Sequence, residues 1–425
     1  MREMKDSGVA WIGAIPQDWK TDRLQWHLKE INVSNNPIQT KNILSLTIEA
    51  GVIPYAEKGN QGNKAKEDYS QYKIAFPDTL VINSMNVIIG AVGISKYFGC
   101  VSPVYYVFEP IEGTDLRYIY YLFTNTGFQK EMRKYAKGIL EIRLRISSND
   151  MLKRIVPSPP FKEQQRIADY LDKMCAEIDA VLEKTRASIE EYKKLKQAVI
   201  TQAVTKGIRG DRPMKDSGIE WIGEIPAEWR ASKIKCCTEF APSCDTGHLS
   251  EDSLVTFTPM ECIKNGYFEN REAPFSALSS SYTQYQEGDI VFAKVTPCFE
   301  NGNIAIMQGL SAGFGFGSSE LFVIRPQNIN TEFIFYYLQN DIFKQYACAT
   351  MTGTGGLKRV SPTFVRNYSI FIPSNEEQLE IVQYLNEKCS GIDVLIAKKQ
   401  QYLTEIENYK KSLIYEYVTG KKEVV

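Results

Sequence analysis

The feature that most constrains this chain is an internal repeat. Residues 4–20 read MKDSGVAWIGAIPQDWK and residues 214–230 read MKDSGIEWIGEIPAEWR, so eleven of seventeen positions are identical. The correspondence persists in order along the chain, since Glu163-Gln164 matches Glu377-Gln378. Two similar units therefore stand in tandem. Their period is far longer than the roughly 20–50 residues of solenoid repeats, so a solenoid is not predicted.

Each unit has the same internal plan, a mixed part followed by a long helix. Short runs such as Thr79-Leu-Val-Ile-Asn, bounded by turn residues, predict β-strands in the mixed part. Short helices are expected at 115–125 and 331–345. Pro159-Pro160 and Pro373-Ser374 then mark the entrance of a long helix in each unit, because Pro is tolerated only in the first turn of a helix.

The two predicted long helices carry an apolar heptad pattern in the same register. The predicted seam is Leu171, Met174, Ile178, Val181, Thr185, Ser188, Tyr192, Leu195 and Val199 in the first copy, and Leu385, Lys388, Ile392, Leu395, Lys399, Tyr402, Ile406, Tyr409 and Leu413 in the second. A seam this narrow requires a partner helix, and the nearest partner is the other copy. The alternative is that each helix packs only on its own globular domain.

These patterns predict an α+β protein with pseudo-two-fold symmetry, in which two tandem mixed α/β domains are separated by two long helices forming an antiparallel coiled coil. The predicted boundaries are 1–160 for the first globular domain, 161–207 for the first helix, 208–373 for the second globular domain and 374–425 for the second helix. We call the two globular domains head 1 and head 2.

The predicted helices have the length needed to space two DNA-reading heads. A helix of about 43 residues spans roughly 65 Å, and DNA repeats about every 34–36 Å. Two paired helices would therefore hold the heads at a fixed separation on one duplex. Because the heads share a scaffold but differ in their loops, they would read two different half-sites of a bipartite, asymmetric target.

Composition narrows the function classes further. The net charge of −1 gives no global signal for nucleic acid, so DNA contacts must come from local basic clusters, such as the stretch 133–154. No apolar run is long enough to span a membrane, and the polar N-terminus predicts no secretory signal. The nine cysteines are scattered along the chain, which is typical of reduced thiols in a cytoplasm. There are only two histidines, so no zinc site is predicted.

Several motifs, all but one of them in the same order in both units, resemble those of specificity subunits of type I restriction-modification systems. They are KDSGxxWIGxIPxxW at each unit start, Pro-Asp-Thr-Leu-Val from Pro77 and Gly-Asp-Ile-Val from Gly288, Gly-Gly-Leu-Lys-Arg-Val at 355–360, the Pro-then-Glu-Gln helix entrances at 160–164 and 373–378, and the final Val-Thr-Lys-Gly and Val-Thr-Gly-Lys. Each motif alone has little specificity. Their order, found twice, extends the resemblance over essentially the whole chain.

The resemblance implies a non-catalytic subunit that binds double-stranded DNA through two target recognition domains. It also implies partners docked on the coiled coil, namely two copies of a modification subunit, an adenine-N6 methyltransferase. Two ATP-dependent restriction subunits would join that core. S-adenosylmethionine, ATP and Mg²⁺ would then belong to the partners, and no cofactor or metal is expected in this chain.

Candidate base-reading residues fall in the loop that follows an equivalent strand in each head. In head 1 the stretch is Asn83-Ser84-Met85-Asn86, and Asn side chains pair well with adenine edges. The equivalent stretch of head 2 supplies Lys294, Thr296 and Asn301. It differs almost completely, as expected for a head that reads another sequence. An ordinary β-turn is the alternative for this loop.

Candidate phosphate contacts precede the long helices, where cations and small residues allow close approach to the DNA backbone. They are Thr354, Lys358 and Arg359 in head 2 and Lys137, Arg143 and Arg145 in head 1, with Lys64 and Lys66 in an earlier Gly/Asn-rich loop. Arg145 aligns with Arg359, so this pair is preferred, with a surface ion pair as the alternative. Trp11, Trp19, Trp221 and Trp229 recur in both copies and are interpreted as packing residues.

A self-contained DNA adenine methyltransferase, a nuclease and a non-enzymatic coiled-coil scaffold are the alternative functions. Ser158-Pro-Pro-Phe161 resembles a methyltransferase motif but lies at a helix entrance, and Gly313-Phe-Gly-Phe-Gly317 resembles a cofactor turn but leads into a predicted strand. A nuclease would need clustered acids near a Lys to hold magnesium, and Asp289 with Lys294 is the nearest arrangement. A scaffold would explain the helices but not two large heads that diverge in their loops.

Overall fold

Each long helix is shared between two structural units. The computed structural model describes residues 2–48, 50–58, 68–138, 144–220, 222–245, 247, 249–278, 282–354 and 356–424. Unit 1 comprises Met1–Arg186 and Gln401–Val425, and unit 2 comprises Ala187–Gln400. Each unit therefore holds one head, the first part of that head's own helix and the last part of the other helix. The predicted boundaries had set the helices apart as separate segments.

Unit 1 is built around an antiparallel sheet of strand order β4-β11-β8-β9. Its strands are β1 (Met4–Asp6), β2 (Ala14–Pro16), β3 (Lys20–Arg23), β4 (Leu28–Ile31), β5 (Leu44–Thr47), β6 (Gly51–Pro54), β7 (Lys73–Ala75), β8 (Leu80–Asn83), β9 (Val92–Ile94), β10 (Gly99–Val101), β11 (Tyr105–Pro110) and β12 (Ile155–Ser158). Its helices are α1 (Leu116–Thr124), α2 (Thr126–Arg133), α3 (Ser148–Leu152) and the first part of α4 (Phe161–Lys206). Every residue of β8 is buried, so this strand is covered on both faces of the sheet.

Unit 2 repeats that sheet with the order β16-β23-β20-β21, again antiparallel. Its strands are β13 (Met214–Asp216), β14 (Glu224–Pro226), β15 (Arg230–Lys233), β16 (Thr238–Phe240), β17 (Leu254–Thr258), β18 (Glu272–Pro274), β19 (Thr283–Gln286), β20 (Ile290–Ala293), β21 (Ile304–Ile306), β22 (Phe314–Gly317), β23 (Leu321–Pro326) and β24 (Ser369–Ile372). Its helices are α5 (Ile234–Cys237), α6 (Thr331–Gln339), α7 (Asp341–Ala349), α8 (Pro362–Asn367) and the first part of α9 (Asn375–Val418). The duplicated sequence therefore folds twice into the same central sheet.

The glycine-rich run at 313–317 lies in a strand and serves packing. β22 pairs parallel with β17 and antiparallel with β19 in a second four-stranded sheet of order β18-β17-β22-β19. The Tyr285 ring packs so closely on Gly315 that an added Cβ would lie 2.0 Å from it. Glycine is needed here because any side chain would displace the buried tyrosine. The strand predicted to follow the glycines is confirmed as β23.

The short helix predicted at 331–345 is interrupted. Asn340 ends α6 and caps α7, its Oδ1 accepting from the Ile342 N–H at 2.8 Å. Asn125 does the same between α1 and α2, accepting from the Gly127 N–H at 2.8 Å. Asn favours caps because its side chain satisfies amides that the first helical turn leaves unpaired. In head 2, two short helices therefore replace the one predicted at 331–345. In head 1, α1 matches the helix predicted at 115–125, and α2 follows it without having been predicted.

The entrance of each long helix is bonded to its own head through a buried tryptophan. In unit 1 the Trp19 indole N–H donates to Glu163 Oε2 at 2.9 Å. In unit 2 the Trp229 indole N–H donates to Glu377 Oε2 at 3.0 Å. Both indoles are fully buried, which agrees with the interpretation of these tryptophans as packing residues; Trp221 lies outside the described residues.

The glutamine next to each of these carboxylates fixes a second element of the head. Gln164 Oε1 accepts from the Asp115 N–H at 3.0 Å, and Gln378 Oε1 accepts from the Asn330 N–H at 2.8 Å. Asp115 and Asn330 are the N-caps of α1 and α6. The Glu-Gln motif therefore joins the start of each long helix to the buried tryptophan and to the N-cap of the first short helix of the head.

Within each unit the two helix segments run antiparallel, as predicted. In unit 1, Asp179 of α4 pairs with Lys410 of α9 at 2.6 Å, and Arg186 pairs with Glu407 at 2.8 Å. Partner numbers fall along α9 as they rise along α4. In unit 2, Lys196 pairs with Asp393 at 2.7 Å. The second helix is shorter than predicted, because it ends at Val418 and is followed by Gly420 with φ +69°.

Half of the predicted seam is wrong by one residue. The positions 171, 178 and 185 are buried, together with 385 and 392, as predicted. The intervening predicted positions are half-buried, as in Met174 and Ser188, or exposed, as in Val181 (40%) and Tyr402 (48%). Leu182 and Leu403, one residue further on, are each 5% exposed. The buried series on α9 continues through Cys389, Leu403 and Leu413. Two heptad seams contain the same residue at every seventh position, one with steps of three then four residues and one with steps of four then three. Which of the two seams is buried depends on how the helix is rotated about its axis against its partner.

Candidate nucleic-acid interface

In head 1 the two predicted loop regions meet. Lys137 and Arg145 face each other in a narrow hairpin, each backbone N–H donating to the other's carbonyl at 2.8 Å. The Ile146 N–H donates to the Ser84 carbonyl at 3.3 Å. This bond brings the loop after β8 beside the basic hairpin, although about sixty residues separate the two in the sequence. The side chains of Lys137 and Arg145 are exposed.

The loop after β8 is a hydrogen-bonded turn, as the alternative interpretation anticipated. Asn83 is mostly buried, and its Oδ1 accepts from the Met85 N–H at 3.1 Å. Ser84 is fully buried, so its side chain is closed to a ligand in this arrangement, unlike the exposed position that base contact requires. Met85 and Asn86 are half-buried, which leaves them as the members of this stretch best placed to face a ligand.

In head 2 the corresponding loops are bonded together more tightly. The Thr296 N–H donates to the Lys358 carbonyl at 3.0 Å, and the Thr296 hydroxyl donates to the Gly356 carbonyl at 2.9 Å. The Lys358 N–H returns a bond to the Thr296 hydroxyl at 3.0 Å. The Val360 N–H also donates to the Lys294 carbonyl at 2.9 Å. Thr296 therefore connects the loops and is a positioning residue for Lys358.

A hairpin in head 2 presents Arg359 as the hairpin of head 1 presents Arg145. Arg359 forms a β-bridge with Thr352 on one side and with Val295 on the other. The alignment of Arg145 with Arg359 is thus matched by equivalent backbone settings. Thr354, Lys358 and Arg359 are all exposed in this hairpin. Asn301 is exposed as well, but no described bond joins its side chain to the Arg359 hairpin.

Sequence reasoning missed Glu320, which lies directly beside the predicted DNA contacts. Its carboxylate accepts from Arg359 Nη2 at 2.6 Å and from Arg359 Nε at 2.9 Å. The Lys294 N–H donates to the Glu320 carbonyl at 3.0 Å. The hydrogen bonds from Arg359 lower the pKa of Glu320 below its ordinary value, and the Lys294 charge adds to this. The only sequence signal was a charged residue just before an apolar strand, which is too common to be selective.

An open groove of about 760 Å³ lies beside Arg359 in unit 2. Lys294, Thr352, Arg359, Ser361, Thr363 and Asn367 contribute its polar lining. No described lining residue is acidic. Val360, Pro362 and Phe364 supply the apolar part of the lining. The cations and hydroxyls beside them can contact a polyanion or a base edge.

The remaining predicted site residues fall outside this geometry. Lys64, Lys66 and Arg143 lie outside the described residues, so the predictions for them stand as predictions. Asp289, considered for a magnesium-dependent nuclease, is fully buried and bonded to Arg325 at 2.8 and 2.9 Å. Its carboxylate is therefore held by a structural ion pair. Across the described residues no group of three or more His, Cys, Asp or Glu side chains is placed to hold a metal ion.

The buried thiols are unsuited to nucleophilic chemistry. Burial raises the pKa of Cys175, Cys237 and Cys389 to about 11 in each case. These thiols remain protonated near neutral pH, and the thiolate is the reactive form. Among the described helices, none is both long enough and apolar enough to cross a bilayer.

A family model and relatives similar in sequence point to the same protein family. A family model described as the type I restriction modification DNA specificity domain matches residues 16–191 and 260–407. The EcoEI specificity subunit of Escherichia coli is 30% identical over 218 residues, which is 50% of this chain but 36% of that protein. The chain thus matches only about a third of that relative's length. The putative MjaX specificity subunit of Methanocaldococcus jannaschii is 24% identical over 97% of this chain and 96% of that protein.

Solved structures show the same fold. A chain from a study of the assembly and conformational transition of the type I R-M system superposes with a TM-score of 0.72 at 12% identity, covering 96% of this chain and 99% of that one. The HsdS subunit from Thermoanaerobacter tengcongensis superposes with a TM-score of 0.50 at 14% identity, covering 96% and 98%. At these identities the likeness concerns the fold alone.

Proposed function

The chain belongs to the family of type I restriction-modification DNA specificity subunits, and on that premise we propose that its two heads read the two halves of one bipartite, asymmetric DNA site. The chain is a recognition subunit and not the catalytic one. The self-contained methyltransferase and the coiled-coil scaffold gain no support from these relatives.

The observation that carries the proposal is that equivalent positions in equivalent scaffolds hold different side chains. The central sheets of the two heads have the same strand order. Where β8 ends in Asn83, β20 is followed by Lys294. Both loops lie against a hairpin that carries an exposed arginine, Arg145 or Arg359. The side chains that diverge beside these arginines suit different base sequences.

We propose further that the helix pair docks two copies of a modification subunit on its apolar flank. Val181, Tyr402 and Tyr409 are exposed in unit 1, and Leu195 and Leu395 are exposed in unit 2. Each of these residues directly precedes a seam position, and in an antiparallel pair such positions of both helices lie on the same side. The other flank carries the ion pair of Arg186 with Glu407, and also Asp393, which pairs with Lys196 of the seam.

This flank supports the stoichiometry that the resemblance implies. The exposed row occurs once in each unit, so the duplication provides two equivalent surfaces for two partners. S-adenosylmethionine would be a cofactor of those modification subunits. ATP and Mg²⁺ would belong to two restriction subunits that join the assembly. Such a complex would act on DNA in the cytoplasm.

Adenine-methylation mapping of the host genome, with and without this gene, tests the proposed function. The expected result is the loss of one bipartite motif when the gene is deleted. A sharper arm exchanges the loop 294–301 for that of a related chain and should change one half of the motif only. Exchange of 83–86 is the matched control and should change the other half only. An unchanged methylome after deletion would contradict the proposal.

A further inference from the structure

We propose that Arg359 of head 2 reads a guanine and that Glu320 is the residue that positions it; this inference rests on the proposed function. The sequence alone had suggested a phosphate contact for Arg359. The ion pair that Arg359 makes with Glu320 changes that expectation, because it alters both the charge and the free donors that the guanidinium offers.

The first argument concerns charge. A lone arginine gains affinity for a phosphate by neutralising it and releasing counterions. Arg359 is bonded to Glu320 through two N–H groups at 2.6 and 2.9 Å, so the pair is close to neutral overall. A phosphate brought to this guanidinium would meet the Glu320 carboxylate at short range. A guanine edge carries no net charge and suffers no such repulsion.

The second argument concerns geometry. A guanidinium has five N–H donors in a rigid plane. Glu320 occupies the Nε donor and one of the two Nη2 donors. Two of the remaining donors, one on Nη1 and one on Nη2, form the adjacent, end-on edge of the plane. That edge presents two parallel N–H groups, which is the arrangement that matches the O6 and N7 acceptors of guanine in the major groove.

The third argument concerns rigidity and access. The Arg359 backbone is bridged on both sides, by Thr352 and Val295. The Glu320 backbone is held in place by the Lys294 N–H, which donates to its carbonyl, and the Glu320 carboxylate binds two N–H groups of Arg359. The Arg359 side chain is still 48% exposed and borders the open groove. A side chain that is fixed in orientation yet exposed loses little entropy on binding, which favours base readout.

Head 1 lacks this arrangement at the equivalent place. Asn83 lies opposite Tyr105 in the pairing of β8 with β11, and this pair corresponds to Lys294 and Glu320 in head 2. Tyr105 therefore replaces the carboxylate. No described residue forms an ion pair with Arg145. The arginine is common to both heads while its carboxylate is specific to one, so base readout by this arginine is specific to head 2.

The test uses the complex assembled with the modification subunits of the same system. Its binding is measured on a DNA library in which the head 1 half-site is fixed and the head 2 half-site is randomised. The wild-type complex should select a guanine, on either strand, at one position. Arg359→Lys keeps the charge but loses the two parallel N–H donors, and should lower the preference for guanine by about tenfold. Preference in the head 1 half-site, measured separately, should not change and reports an intact complex.

Glu320→Gln separates positioning from a merely structural role. Removal of the carboxylate should raise affinity for DNA of any sequence while weakening the guanine preference. A loss of stability alone would lower affinity for every sequence. Glu320→Asp, which restores the charge, should recover part of the guanine preference.

Two results would overturn the inference. One is a selected head 2 half-site without guanine on either strand. The other is an Arg359→Ala complex that weakens on all sequences equally, with the salt dependence of log K reduced by about 0.9, as expected for one lost phosphate contact. A wild-type complex without sequence preference in either half-site would refute the proposed function itself. Preference that is present but independent of Arg359 would refute only this inference.

Discussion

The Trp229 indole N–H donates to the Glu377 carboxylate at 3.0 Å and joins the beginning of head 2 to the entrance of its long helix. Arg212 binds the same carboxylate and lies 5.5 Å from the Trp229 ring. In unit 1, Trp19, Glu163 and Arg2 form the same arrangement. Each head is therefore fixed to its helix by one buried glutamate carboxylate that binds both a tryptophan N–H and an arginine.

Replacement of Glu377 by Ala should destabilise unit 2 strongly. Glu377 is 1% exposed. Its removal leaves the indole N–H without an acceptor and takes the nearest carboxylate from Arg212, which keeps only Glu228 and the Lys206 carbonyl. A loss of about 3–5 kcal/mol in the free energy of unfolding is expected, as for a broken buried ion pair. Trp229→Phe removes one hydrogen bond and should cost about 1–3 kcal/mol. Denaturant unfolding followed by tryptophan fluorescence measures the first variant, and circular dichroism measures both. Equal stability of Glu377→Ala and wild type would contradict this account.

The corrected heptad phase predicts unequal effects for adjacent residues of α4. Leu182→Ala should destabilise the chain by about 2–5 kcal/mol, because it opens a cavity between the helices. Val181→Ala, at an exposed position, should change the free energy of unfolding by less than about 0.5 kcal/mol. Thermal denaturation compares the two variants. If Val181→Ala were the more damaging, the phase predicted from the sequence would be the right one.

Added charge on the apolar flank should block assembly without unfolding the chain. Tyr409 is 51% exposed, so Tyr409→Lys removes apolar docking area and places a cation in the proposed interface. Co-purification with the modification subunit should fall by at least tenfold, while the melting temperature stays unchanged. Asn408→Lys, one residue away on the outer face of α9, adds the same charge and should assemble normally. Equal loss in both variants would argue against a specific flank.

Stability should decline on the acid side of neutrality because of His27. Burial lowers the pKa of this imidazole from its ordinary value of 6.5, so the folded state resists protonation while the unfolded state accepts it. The unfolded state then binds more protons between the two pKa values, and the free energy of unfolding falls as the pH drops through about 6.5. His27→Gln should flatten this part of the profile, as measured by denaturant unfolding from pH 5 to 8. An identical pH profile in both proteins would exclude His27 as the cause.

The phosphate contact predicted for Arg145 should appear as a salt-dependent, sequence-independent loss. Arg145→Ala in the assembled complex should weaken binding to all DNA sequences, and the slope of log K against log salt should fall by about 0.9. Lys184→Ala, which removes one exposed charge from α4, is the control and should leave the slope unchanged. A loss confined to one DNA sequence would assign Arg145 to base readout instead.

The sequence alone determined the tandem duplication, the mixed heads, the two long helices and the family, because these depend on repeated motifs and on local periodicity. It also supplied the two loop regions proposed for the site, since turn residues and cations are visible in the sequence itself. It misplaced half of the helix seam, because Leu182 and Val181 are both apolar and only the rotation of α4 against α9 buries one of them. The burial of Ser84 was not predicted, because whether a small polar side chain is buried depends on neighbours distant in the chain. Only the tertiary structure brought Glu320 to Arg359: the two residues lie on different strands and loops, and no local pattern links a carboxylate to an arginine that folding later places within hydrogen-bonding distance.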